Sequence, residues 1–201
     1  GSVGNDHPIG EGHRCYNSEL EQKTYDPDKA KYFLKQAGVD SVDIALHTSD
    51  AAFAGAVDAG VLFQASAKQA GINVDVVREP KDGYWSDVWM KKPFSAVYWG
   101  GRPVEDQMFA TAYKCGASWN DSFWCNERFD DLLVKARAEL DEDKRRDMYW
   151  EMQDLVSNKG GVIIPMFANY VQAKSDKVMH GEMASNWEMD GERWMERWWM
   201  A

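Results

Sequence analysis

The sequence predicts an α/β fold, a mixed and mostly parallel sheet flanked by helices, and three observations predict it. Apolar residues alternate with others at Val42, Ile44 and Leu46 and again at Ile72, Val74 and Val76, the period of two that marks a strand with one buried face. Between these runs lies a stretch with helical spacing, from about Ala51 to Ala70. A third apolar run, Phe94 to Trp99, follows a short helix at Tyr84 to Lys91. Strand, helix, strand, helix, strand in this order implies parallel pairing with right-handed crossovers.

The elements follow in order. Residues 1–24 carry Gly, His, Pro and Asn without a period and read as an extended lead-in. Asp26-Pro27 opens a helix, because Asp26 caps it and Pro27 fills the first helical position, where a missing N–H costs nothing. Ala30, Phe33, Leu34 and Ala37 share its apolar face and Gly38 stops it. Thr48, Ser49 and Asp50 offer caps to the helix from Ala51, and Gly71 ends it. Beyond the Gly100-Gly101-Arg102-Pro103 turn the chain is mostly helical. Val104 to Tyr113 is one helix. Phe129, Leu132, Leu133, Ala136 and Leu140 stripe a second. Asp141 caps a third, striped by Met148, Met152, Leu155 and Val156. Val162 to Phe167 reads as a fourth strand, with Pro165 placing it at an edge or bulge. The tail from Met183 to Ala201 is rich in Trp and charge and has no clear period. No internal repeat or low-complexity linker interrupts the chain, so one α/β domain is expected, with boundaries at 1–24, 25–182 and 183–201.

Composition narrows the function. At 44% hydrophobic and 28% charged the 201 residues have an ordinary globular balance. The net charge of -10 argues against a nucleic-acid surface, which needs clustered Lys and Arg, and against docking on anionic lipid. No apolar run is long enough to span a bilayer. Ten Trp, eight Tyr and eight Phe are many for this length; a core absorbs some of them, and aromatic faces also line ligand sites and large interfaces.

Catalytic and metal signatures are missing. His7, His13, His47 and His180 have no metal-ligand spacing, and no GxSxG, P-loop or GxGxxG occurs; no cofactor and no metal are expected. Glu105 and Asp106 are adjacent, and a helix splays adjacent side chains apart, so they read as charge at a helix N-terminus. Cys115 and Cys125 stand too far apart for a CxxC pair. They read as a disulfide closing a short loop or as two separate thiols, with Cys15 unpaired. The turn after the third strand is the best site candidate, because ligands of parallel α/β sheets bind beyond the carboxyl ends of the strands. There Trp99 offers a stacking face, Gly100 and Gly101 permit close backbone approach, and Arg102 offers a carboxylate partner.

These residues carry a family resemblance. Tyr25-Asp26-Pro27-Asp28-Lys29-Ala30-Lys31, then Leu34 and Ala37-Gly38, resembles the YDPxKAKxLLxxAG segment of the peptide/nickel-type solute receptors of ABC importers, family 5 of the bacterial extracellular solute-binding proteins. The Ala70 to Val76 strand, Tyr84-Trp85, Trp99-Gly100, the run from Asn126 to Ala136, the Met148 to Val156 helix and the Ile163-Ile164-Pro165 strand continue it to about Val178. The resemblance implies one lobe of a two-lobed periplasmic binding protein of type II, a periplasmic or cell-surface location, ABC permease subunits as partners and no enzymatic activity. It also implies that the chain is the carboxyl-terminal part of a longer receptor whose signal peptide and other lobe lie upstream, with the tail returning toward that lobe. Dipeptide-binding members carry a disulfide in the loop where Cys115 and Cys125 fall.

The implied site holds a small peptide-like or anionic solute against the aromatic faces of Trp99, Trp119, Phe123 and Tyr84, with Gly100, Gly101, Arg102, Asp106 and Asn120 as polar contacts. One position departs from the pattern. Peptide-binding members place an Asp just after the Trp-Gly strand end, to pair with an α-ammonium; here the chain reads Gly101-Arg102-Pro103. A cation there favours an anionic group on the ligand, and sugar- and opine-type receptors of the same family stand as the alternative. Readings of other classes are a hydrolase using Glu105, Asp106 and Asp121, and an interaction domain docking through its Trp-rich tail. Exposed aromatics around Trp99, Trp119, Phe123, Trp198 and Trp199 predict self-association of the isolated lobe.

Overall fold

The computed structural model describes residues 1–184 and 187–201; Ser185 and Asn186 of the tail lie outside the described residues. The elements are β1 (Ser2–Val3), α1 (Pro27–Gln36), β2 (Val42–Thr48), α2 (Ala56–Lys68), β3 (Ile72–Arg78), α3 (Tyr84–Asp87), α4 (Glu105–Ala112), α5 (Glu127–Ala138), α6 (Glu142–Lys159), β4 (Met166–Phe167), β5 (Val178–His180), α7 (Glu188–Glu192), α8 (Trp194–Arg197) and β6 (Trp198–Met200). They fall into two compact units, residues 23–99 and residues 1–22 with 100–201. The sequence places its boundaries after 24 and 182; the compact units divide after 22 and 99.

In the 23–99 unit, β2 and β3 pair in parallel from Val42–Ile72 to Thr48–Arg78. α1 starts as its sequence dictates, with Asp26 Oδ1 accepting from the Lys29 N–H at 2.8 Å and Pro27 in the first turn. α2 begins at Ala56, five residues later than the sequence predicts. Thr48, Ser49 and Asp50 do not cap it; the chain makes turns there, with Ala52 N–H on the Ser49 carbonyl and Ala56 N–H on that of Phe53. Gly55, at φ 83°, then releases the helix. Gly60 lets α2 approach the sheet: a Cβ there would lie 3.3 Å from Val76 Cγ1 and 3.4 Å from Leu46 Cδ2. Leu46, Ala67 and Val74 form the core beneath it.

The predicted third strand is reduced to one parallel bridge, His47 with Ser95, made by His47 N–H to the Phe94 carbonyl at 3.0 Å and Ala96 N–H to the His47 carbonyl at 2.9 Å. β2 ends at Thr48, so residues 97–99 have no strand left to pair with. Among the described residues, parallel pairing is confined to this unit, and the other two strand pairs are antiparallel.

In the second unit the lead-in is integrated. β1 pairs with β4, Ser2 with Phe167 and Val3 with Met166. Asn17 N–H donates to Gln153 Oε1 at 2.9 Å while Gln153 Nε2 donates to the Cys15 carbonyl at 2.7 Å. Ser157 Oγ donates to the Asn5 carbonyl at 2.7 Å. The predicted 162–167 strand survives only at β4; Pro165 has no N–H to give a ladder, and its carbonyl instead accepts from Gly4. α4, α5 and α6 form as predicted, α5 capped by Asn126 and α6 by Asp141. Phe109 is fully buried, edge-on to Phe129 at 5.3 Å and stacked on Tyr149 at 6.3 Å. In the tail, where no period is visible, β5 pairs with β6. α7 is a left-handed turn, with positive φ at Met189, Asp190 and Gly191.

Candidate functional site

The Gly100–Arg102 turn opens the second unit, and side chains distant in sequence converge on it. Trp187 Nε1 donates to the Gly101 carbonyl. His13 Nε2 lies 3.0 Å from the Arg102 carbonyl oxygen, and the Tyr170 hydroxyl accepts a long 3.5 Å bond from Gly101 N–H. Arg102 turns back on its own loop, where Nη1 donates to the Gly100 and Gly101 carbonyls at 3.0 Å each. His13, Tyr170 and Trp187 carry no local signal of this role, since each is brought in by long-range folding.

The second group of predicted residues sits on a disulfide loop. Cys115 and Cys125 are bonded, with Cα atoms 4.6 Å apart, inside the range a disulfide allows. Asn120 is buried within this loop. Its Nδ2 amide faces three carbonyls, Trp124 at 2.7 Å, Lys114 at 3.2 Å and Tyr113 at 3.4 Å, and its Oδ1 accepts from Ser122 Oγ at 2.9 Å. Asn120 is thus an internal brace of the loop. Trp119 and Phe123 are displayed on its surface, 49% and 68% exposed, and Phe123 holds a left-handed φ of 54°, strained for an aromatic residue. The Tyr113 hydroxyl beneath is pushed far above its usual range by burial and, secondarily, by Asp121.

The remaining candidates are placed elsewhere. Asp106 bonds Arg137 Nε at 2.6 Å. Glu105 is buried and accepts from the Cys15 N–H at 2.6 Å. In the 23–99 unit, Trp99 is partly buried, whereas Tyr84 is 1% exposed and belongs to the core with Ala52, Ala56 and Val88. Its hydroxyl lies 2.7 Å from the Ala96 carbonyl and 3.1 Å from that of His47, so it holds the 94–96 segment to the end of β2 instead of presenting a face to ligand. Exposed Tyr98 lies within the predicted 94–99 strand. It meets Trp85 edge-on at 5.5 Å, and Trp85 in turn meets Tyr84 and Trp89. Among the described residues no group of three His, Cys, Asp or Glu could hold a metal.

Residues 2–121 match the family model described as bacterial extracellular solute-binding proteins, family 5 middle. The dipeptide-binding protein of Escherichia coli strain K12 is 30% identical over 164 residues, 74% of this chain and 30% of that protein. The chain thus spans under a third of that relative's length. Among solved structures, the periplasmic binding protein DppA from Helicobacter pylori in complex with peptide STSA superposes with a TM-score of 0.65 at 23% identity, covering 77% of this chain and 31% of that one. NikZ from Campylobacter jejuni in complex with Ni(L-His) gives 0.67 at 19% identity, covering 79% and 35%. At these identities the likeness shows the fold, the α/β type II periplasmic-binding-protein fold that the sequence predicts.

Proposed function

This chain belongs to the bacterial extracellular solute-binding proteins of family 5, and from that premise we propose that it is part of the substrate-binding component of an ABC importer. The component captures a small peptide-like or anionic solute outside the cytoplasm and hands it to the permease subunits. The observation that carries the reading is the family match over residues 2–121, which runs through the Gly100–Arg102 turn and into the disulfide loop. The Cys115–Cys125 bond supports an oxidising, extracytoplasmic location. The engagement of Glu105 by Cys15 and of Asp106 by Arg137 favours a receptor over a carboxylate-dependent hydrolase.

In this reading Arg102 meets the anionic end of the solute, and Trp119 and Phe123 supply apolar faces. A charge-assisted bond of this kind contributes about 1.5–3 kcal/mol. Calorimetry on the full-length receptor tests it: Arg102→Ala weakens the native solute about tenfold or more, and an unchanged affinity removes Arg102 from recognition.

A further inference from the structure

A cleft of about 820 Å³ lies within the unit formed by residues 1–22 and 100–201, bounded by residues 12–15, the start of α4, the end of α5 and the first half of α6. Charges of both signs line it, and most of them neutralise one another. Arg137 is paired with Asp106 at 2.6 Å. Arg146 is held by Asp143 at 2.7 Å and Asp147 at 3.2 Å. Arg14 pairs with Glu142.

Two lining charges are left over. Arg145 reaches Glu142 only at 3.9 Å, and Glu142 is already engaged by Arg14; its other bond goes to the neutral Glu139 carbonyl at 3.0 Å. Glu105 is 6% exposed, accepts one backbone N–H, and has no cationic partner among the described residues. Glu105 opens α4, whose N-terminal end favours a negative charge, and it forms no ion pair among the described residues.

Tyr149 stands four residues beyond Arg145, on the same face of α6. It is 6% exposed, its ring stacks on Phe109, and its hydroxyl makes no hydrogen bond among the described residues. The hydroxyl oxygen keeps solvent access and lines the cleft, open to a bond from a ligand. Burial and the nearby Asp106 and Glu105 carboxylates push this hydroxyl well above its usual range, with Arg145 opposing them. Both leftover charges therefore lie within electrostatic reach of the hydroxyl.

We propose that this cleft binds a small zwitterion, an amino-acid-like solute whose carboxylate meets Arg145, whose ammonium meets Glu105 and whose polar edge meets the Tyr149 hydroxyl. A simple anion would answer Arg145 but face the Glu105 carboxylate, and a simple cation would do the reverse. Only a ligand carrying both charges completes both ends. None of these groups belongs to the Gly100–Arg102 turn, so failure of solute recognition at that turn leaves the cleft unaffected.

The test titrates the isotopically labelled 201-residue chain with glycine, 4-aminobutyrate and 6-aminohexanoate, with hexanoate and hexylamine as single-charge controls. The three zwitterions sample different charge separations. At least one should shift the amide signals of Cys15 and Tyr149 saturably, about tenfold tighter than either control. Glu105→Gln, which keeps an acceptor for the Cys15 N–H, Arg145→Gln and Tyr149→Phe should each weaken it by a comparable factor. Should one variant fail to fold, the other two decide. The proposal is overturned if no zwitterion gives a saturable shift at tens of millimolar, if a single-charge control binds as tightly, or if the folded variants bind unchanged.

Discussion

The Nδ2 amide of Asn120 donates to the Trp124 carbonyl at 2.7 Å inside the ring closed by Cys115 and Cys125. Two amide hydrogens are shared among three carbonyls there; the Lys114 carbonyl also accepts from the Ala117 N–H at 3.0 Å, so the side chain matters most to the Trp124 and Tyr113 carbonyls. Asn120→Ala takes this donor from the Trp124 and Tyr113 carbonyls, at a cost of about 1–3 kcal/mol. Asn120→Asp costs more, because a carboxylate faces the same carbonyls. Thermal melts of the two variants check this; an unshifted Asn120→Ala melt would remove Asn120 as the brace.

The disulfide closes a short loop, and the loop-closure relation assigns such a crosslink about 2–3 kcal/mol. Replacing both Cys115 and Cys125 by Ser lowers unfolding stability by about that amount. Alkylation under non-reducing denaturing conditions labels one thiol, Cys15. Three labelled thiols would contradict the pairing.

Tyr84 ties residues 94–96 to β2 through its hydroxyl, and burial, with Glu79 adding to it, pushes that hydroxyl up to about 12. Its unfolded value is about 10. A raised folded value means that the contribution is complete below about pH 10 and is lost as pH climbs toward about 12. Tyr84→Phe should lower stability by about 1 kcal/mol at neutral pH and flatten the alkaline fall. Denaturant unfolding at a series of alkaline pH values reads both effects; an equally steep fall in the variant assigns it to other groups.

Asp190 anchors the tail. Its carboxylate accepts from Ala184 N–H at 2.6 Å, Arg197 Nε at 2.8 Å and Trp198 Nε1 at 3.0 Å, and these bonds, led by the Ala184 one, hold its pKa below the usual carboxylate range. A lowered folded value contributes stability that is present above the unfolded value of about 3.9 and is lost as pH falls through the folded one. The Trp198 indole N–H resonance should persist at about pH 5 and disappear in more strongly acidic solution. Asp190→Asn should loosen the β5–β6 pair already at neutral pH. A resonance indifferent to acid, or lost near neutrality, would contradict this anchor.

Local signals were legible and long-range ones were not. Asp26, Asn126 and Asp141 announce their helices because a cap acts within three residues. The α5 and α6 stripes are legible because helical period alone decides which face is buried. The start of α2 was misplaced because Thr48, Ser49 and Asp50 look like caps while the chain makes two turns, Ser49–Ala52 and Phe53–Ala56, before the helix begins. The third strand was overextended because apolar alternation does not say where the partner strand ends. The lead-in looked structureless because its order comes from Gln153, Ser157 and β4, more than a hundred residues away. The turn at Gly100–Arg102 and the exposure of Trp119 and Phe123 were foreseeable. The internal roles of Asn120 and Tyr84 were not, because a polar or aromatic residue near a strand end reads the same from sequence whether it faces ligand or core.

Calorimetry on the full-length protein with a panel of di- and tripeptides and small anionic solutes, followed by mass analysis of the recovered ligand, decides whether the proposed receptor captures a solute without transforming it. At least one member should bind saturably, one to one, and be recovered unchanged. Ligand recovered cleaved, or no binding by any member of the panel, would contradict it.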